Sequence, residues 1–500
     1  MSQRRRRSMP DLHLAALAAH RFGFGPRPGE LRAIAGDPRG WVKSQLGRQP
    51  QLPAPIAALP SAEDDLWAFG RWTIRRRMNN RNAERMEERA EREGVSMQEL
   101  RALSVEDEFV ANFRERVTRA IVARIDAAIA SDRPVHERLV HFWSNHFTVS
   151  TAKPVAVALP PSFEKDAIRP HVGGRFADML MASTKHPGMI VYLDNWLSIG
   201  PNSQIARGPR QPRPFLGGPR ATGLNENLAR EILELHTLGV NGGYAQRDVQ
   251  ALAAIITGWT YERPRLRELV RESGGERNGA QLFEFDAPAH EPGPQTLLGR
   301  TYAQSGVDQG EAALNDLARH PSTARFIATK LCRHYIADDP PSAAVARVEL
   351  AFRGSDGDLR ATMEALVDSP EAWEESRRKF KRPEEYAISL LRTANVRALP
   401  NANAVGALTQ MGQRPYAAPG PDGWSDIAAS WLTADLVWKR IEFAQAYADR
   451  VGRADVDPVQ LGDASLGALM SDETRTAVRR AESATQGLAL LFAAPEMQWR

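Results

Sequence analysis

Phe109, Phe113, Val117, Ile121, Ile125 and Ile129 stand at every fourth position along one segment. That spacing winds a single apolar stripe along a long helix and asks for a broad helical partner surface. Ser104-Val105-Glu106-Asp107 just before it has the spacing of a capping box, in which the hydroxyl and the carboxylate satisfy each other's backbone donors. Ser61-Ala62-Glu63-Asp64 repeats the device ahead of Trp67 and Trp72.

The same periodicity recurs along the chain. Helices are expected over Asp11–Gly25, about Glu30–Leu46, Val135–Phe147, Ser162–Ile168, Asp178–Thr184, Val307–Arg319, Ser322–Tyr335, Pro341–Gly354, Asp358–Asp368, Pro383–Asn395 and Ala402–Met411. Four more are expected over Ala429–Ala448, Asp463–Met470, Glu473–Ala481 and Thr485–Ala494. Leu282–Phe285 alternates and reads as one short strand. No alternation of strand and helix, no G-x-G-x-x-G and no P-loop occurs, so the fold class is all-α with at most a few short strands.

The organisation expected is one family-sized unit in three parts: an N-terminal helical part (11–150), a central part (151–300) and a C-terminal helical part (301–500). Arg75–Glu93 and Glu262–Gly279 read as charged insertions, and the basic Gly/Pro stretch Ile205–Gly223 as a surface loop or a lid. The 42% hydrophobic and 25% charged residues are those of a soluble globular protein. A net charge of +4 spread over 500 residues is too small to argue for nucleic acid, and arginines interleaved among acids favour a solvated surface over a phosphate track, so no nucleic-acid partner is expected. Cys332 is the sole cysteine and reads as a core residue, which rules out an intrachain disulfide and a thiolate zinc site. No apolar run is long enough to span a membrane. Arg4–Arg7 is followed by a short segment carrying His13 and His20, which is not the pattern of a signal peptide, so a cytoplasmic location is expected.

The polar groups concentrate in Gly223–Gly258. Leu228, Ile232 and Leu235 give Leu224–Leu238 one buried stripe, ended at Asn241-Gly242-Gly243. At about 100° per residue Glu231 falls roughly 60–100° to one side of the stripe, Asn227 and Glu234 just beyond, and His236 on the other side. Carboxylates in that position are costly unless paired or metal-bound. They either pair with arginines such as Arg230 or Arg247, or belong to a ligand or acid–base cluster. A second helix is expected from near Gln246 to Thr257. In HFWSNHF, His146 lies on the apolar face and His141 and Asn145 opposite, with the two histidines about 140° apart. A regular helix cannot bring both to one ion.

Together RFGFGPRPGE, RLVHFWSNHFTVS, HPGMIVYLDNWLSIGPNS, GLNENLAREILELHTLGVNGGYAQRDV, HEPGPQTLLG, KLCRHYIADDPP, PDGW and APEMQWR resemble the bacterial family catalogued as domain of unknown function 1800. The resemblance runs from about His20 to the end of the sequence. It assigns the family's recurrent polar positions to His141, Asn145, His146, Asp194, Asn195, Asn227, Glu231, Glu234, His236, Asp248 and His290. Ala245 departs from the family's Thr or Ser, which should cost about 1 kcal/mol of local capping. The resemblance also implies company with a second family, domain of unknown function 1501, which is similar to alkaline phosphatases and sulfatases and is commonly exported.

Two functions remain open on this reading. In the first, a metal-dependent hydrolase or oxidoreductase, the ligands to zinc, iron or manganese would be His146, Glu231, His236 and His290, with Glu234 as a base or an orienting group. In the second, the chain is a non-catalytic partner or co-export chaperone of the phosphatase/sulfatase-like protein. A metal-free hydrolase ranks below both, since no G-x-S-x-G elbow is present.

Overall fold

The computed structural model describes residues 11–49, 51–78, 90–92, 94–96, 98–99, 108–153, 156–208, 223–262, 282–376, 379–399, 403–452 and 456–500. The capping box at Ser104, most of the Arg75–Glu93 and Glu262–Gly279 insertions and most of the Ile205–Gly223 loop lie outside these residues.

The fold is all-α, with two small antiparallel sheets. Trp259–Tyr261 pairs with Phe283–Phe285, and Gln295–Leu297 with Arg300–Tyr302. The second hairpin was not expected from the sequence. Among the described residues no helix is long and apolar enough to cross a membrane.

Helix boundaries follow local chemistry. Ser61 and Asp64 form the capping box, Asp64 N donating to Ser61 Oγ at 3.1 Å and Ser61 N to Asp64 Oδ2 at 2.9 Å. The single helix expected over Glu30–Leu46 is two, Glu30–Ile34 and Pro38–Lys43. Pro38 disrupts the first and opens the second, whose cap is the Asp37 carboxylate accepting from Gly40 N at 2.8 Å.

Two apolar cores organise the helices. One gathers side chains from Leu12–Arg21, Pro134–His146, Phe176–Lys185, Gln246–Ile255, Pro321–Tyr335 and Leu359–Asp368. The other gathers Val117, Ile121, Ile125 and Ile129 of Glu108–Ala130 with Pro383–Thr393, Ala434–Val451 and Ala484–Ala493. Cys332 is buried in the first core.

Pro134–His146 lies where the cores meet, and this overturns its amphipathic reading. His141, expected opposite the apolar face, is buried, and so are His136, Glu137 and Arg138. Their charges are matched internally. Arg169 holds Glu137 at 3.0 Å and Glu164 at 3.1 Å, and Arg138 meets Glu385 at 3.0 Å. Buried charges persist only with such partners, and the partners come from distant segments.

Candidate functional site

The segment expected as one helix is wound in two ways. Asn227–Glu231 is α-helical and Ile232–His236 is a π-turn. In the wider winding the bond closes five residues on, which narrows the angle between Glu231 and His236 relative to a regular helix. Thr237 closes the turn, its hydroxyl donating to the Ile232 carbonyl at 2.5 Å. Gly239 follows at φ +83°, where an added Cβ would strike the Phe326 ring at 2.8 Å.

His146 and His236 come together. Their ring centroids are 6.2 Å apart, and His146 Nε2 lies 3.1 Å from the His236 carbonyl oxygen. That contact places the His146 proton on Nε2 and leaves Nδ1 as a buried lone pair without a hydrogen-bond partner; His236 Nε2 is likewise buried and unpartnered. Both imidazoles are held neutral. Burial lowers His236 to about 3 and His146 well below its ordinary value, and the Lys330 ammonium reinforces both shifts.

The two glutamates separate in role. Glu234 pairs with Arg230 at 3.3 Å and accepts from the Tyr244 hydroxyl, so it is neutralised. Glu231 has no hydrogen bond or ion pair within 4 Å among the described residues. Burial, then the like charges of Glu234 and Asp422, push its carboxyl up to about 7 against the pull of Arg230. Asp422, on the loop before Trp424, adds the smaller part of the surrounding field. It and Glu231 push the Tyr192 phenol up to about 12, an effect led by burial. Asp422 and Asp426 also support the charge on Lys330, whose ammonium burial brings down to about 8.

Asn145 fixes that loop. Its side-chain amide donates to the Trp424 carbonyl at 2.9 Å and its oxygen accepts from Trp424 N at 2.8 Å. Gly423 sits between at φ +80°, where a Cβ would fall 2.5 Å from the Asn145 carbonyl oxygen.

The remaining expected residues do not join the group. His290 is held by Thr257, with Nδ1 2.9 Å from its carbonyl oxygen. His141 is packed against Phe24 and lies 3.7 Å from Glu384. Asn195 donates to the carbonyls of Ile256 and Trp259 at 3.1 and 2.9 Å. Asp194 occupies the left-handed region at φ 59° and pairs with Lys153 at 2.6 Å. Asn227 is exposed. Asp248 accepts from Ala245 N and Leu298 N, both at 2.8 Å, so the carboxylate half of the cap at Ala245 survives. The set His146, Glu231, His236 and His290 therefore does not converge on one point. Among the described residues no group of three or more His, Cys, Asp or Glu side chains is arranged to hold a metal ion.

Lys330, Asp422 and Tyr192 were not singled out from the sequence. All three lie within stretches that carry the family resemblance, but nothing in their spacing connects them to Glu231. Residues 17–499 match the model of a family described as Protein of unknown function (DUF1800). No curated protein and no solved structure matches the chain.

Proposed function

The chain belongs to the DUF1800 family over essentially its whole length, and from that premise we propose that it is an acid–base enzyme of hydrolytic type centred on Glu231. The observation that carries this reading is a partly buried carboxyl, without an ion pair among the described residues, raised to about 7 in the field it shares with the Tyr192 phenol; Asp422 acts on both and also on the Lys330 ammonium, which burial lowers to about 8. General bases and acids are most effective with pKa values near the operating pH, and burial beside like charges is the usual means of reaching them. Glu231 takes a proton from water, the water oxygen attacks an electrophilic carbon or phosphorus, and Lys330 stabilises the charge that develops. Tyr192, whose phenol keeps its proton, donates to the leaving group in this reading.

The test compares wild type with Glu231→Gln on p-nitrophenyl esters, phosphates and glycosides from about pH 5 to about pH 9. Turnover rising through about pH 7 and lost in the variant supports the proposal. Equal turnover in both proteins removes it. Elemental analysis runs alongside. Near-stoichiometric zinc, iron or manganese that is lost in a folded Glu231→Ala/His236→Ala variant would replace this reading with the metal-dependent one.

A second reading rests on the segment 427–441, where Ile427, Leu432, Trp438 and Ile441 are exposed, Trp438 by 58%. Clustered exposed apolar side chains mark contact surfaces. In this reading the chain docks there on a phosphatase/sulfatase-like protein of the 1501 family and is carried out of the cytoplasm with it. Co-purification abolished by Trp438→Glu supports docking; no co-purification with wild type discards it.

A further inference from the structure

Lys330 stands apart from the other lysines of the chain. Each of the other seven is engaged, five by a carboxylate and Lys165 and Lys381 by backbone carbonyls at 2.9 Å. Among the described residues no carboxylate comes within 4 Å of Lys330 Nζ and no hydrogen bond reaches it. The side chain is half-buried, and its Nζ stays open to solvent, unlike the sealed Nδ1 of His146 and Nε2 of His236.

Its surroundings are apolar and uncharged at close range. Lys330 follows Phe326 by one turn of the Pro321–Tyr335 helix, and Nζ lies 5.4 Å from the centre of that ring. The ring stands 6.2 Å from His146, which is held neutral like His236. Asp422 and Asp426 support the charge on Lys330 only from a distance, and Asp426 is committed to His334 at 2.9 Å. Arg333 on the same helix opposes that charge, and burial outweighs both carboxylates. An amine desolvated in this way, without a counter-ion to hold its proton, is the usual form of a nucleophilic lysine.

We propose that Lys330 is a nucleophile that captures a neutral aldehyde or ketone as an imine. Its proton first passes to water. The Nζ lone pair then bonds to the carbonyl carbon while the carbon–oxygen π pair moves to oxygen, which takes up a proton. The carbinolamine loses one molecule of water and leaves a C=N bond, so no oxidant or reductant is consumed. Phe326 offers an apolar face to the carbonyl compound, whereas Asp422 and Asp426 repel a negatively charged keto acid. The inference goes beyond hydrolysis at Glu231 and does not rest on it, since imine capture needs no turnover.

The test is reductive labelling of the full chain with benzaldehyde, cyclohexanone and pyruvate in the presence of cyanoborohydride, read by peptide mass spectrometry. Lys439, tied to Glu442 at 2.9 Å, is the internal reference. At pH 7 about one Lys330 in ten carries the free amine, against about one in 3,000 for a lysine at 10.5. Lower basicity offsets part of that advantage, so Lys330 should label about tenfold or more faster than Lys439. Benzaldehyde should outpace pyruvate, and the rate should reach its half-point near pH 8. Lys330→Arg keeps the charge and removes the amine, so the adduct should vanish at an unchanged melting temperature. The proposal is overturned if no adduct forms at Lys330, if Lys330 labels no faster than Lys439, or if pyruvate outpaces both neutral probes.

Discussion

The Arg138 guanidinium meets the Glu385 carboxylate at 3.0 Å with the two side chains only 2% and 3% exposed. Arg138 belongs to a helix of the first core and Glu385 to a helix of the second. The same carboxylate is reached by Arg382 at 3.2 Å and Arg500 at 3.3 Å, while Arg138 also donates to the Gly23 carbonyl. These cations hold Glu385 well below the ordinary carboxylate range although burial opposes it. The junction between the cores is thus ionic, and its integrity positions His141, Asn145 and the loop that Asn145 holds.

Glu385→Gln should destabilise the protein by about 3–5 kcal/mol, because it leaves buried arginines without a counter-charge. Arg360→Ala, which removes an exposed pair with Glu364 at 2.9 Å, should cost no more than about 0.5 kcal/mol. Urea unfolding of the two variants against wild type measures the difference. Equal effects would show the buried network to be energetically idle.

Acid should unfold the protein through its histidines. Burial lowers His20, His136, His236 and His334 to about 3 in the folded state, and His141 and His146 well below the ordinary value of 6.5. Between about pH 6.5 and about pH 3 the unfolded chain therefore binds more protons than the folded one. Stability is full above about pH 6.5 and falls as pH drops through that window. Melting temperatures recorded from about pH 8 to about pH 4 test it, and a flat profile would contradict the burial of these rings.

Glu231 contributes with the opposite slope. Its folded-state pKa of about 7 lies above the ordinary 4.5, so the folded chain binds the extra proton. The stability this provides is present below about pH 4.5 and is lost as pH rises through about 7. Glu231→Gln should therefore gain stability relative to wild type as pH rises from about 5 to about 8. The difference in melting temperature between the two proteins isolates this contribution from the histidines.

Gly423→Ala tests the link between the Asn145 clasp and the candidate site. The new Cβ would press on the Asn145 carbonyl oxygen at 2.5 Å and on its side-chain oxygen at 2.8 Å, in a backbone region that costs a non-glycine residue about 1–3 kcal/mol. The variant should melt lower. As the loop moves and takes Asp422 with it, the Glu231 carboxyl should fall slightly below about 7 while burial and Glu234 still hold it above 4.5, a shift that carboxyl NMR titration reads directly. An unmoved Glu231 titration in a destabilised variant would separate the loop from the site.

Local chemistry was legible in the residues themselves. Fourfold spacing placed Val117, Ile121, Ile125 and Ile129 in a core, and the Ser61–Asp64 box starts a helix where its residues stand. Val307–Arg319 has the predicted ends. These features depend on contacts within one or two helical turns, which the order of residues determines by itself. Tertiary structure decided the rest. A helical wheel reports in which direction a side chain points, and cannot report what meets it. His141, Glu137 and Arg138 point away from their apolar stripe, yet they are buried because a second core, with its own carboxylates and arginines, covers them. The π-turn at Ile232–His236 changed the direction of His236, whose ring packs against His146 and Phe147. Asp422 and Lys330 enter the field around Glu231 and the paired histidines from remote segments, while His290 is claimed by Thr257. The charge on Glu231, and with it the candidate chemistry, is set by burial and by neighbours that only the folded chain assembles.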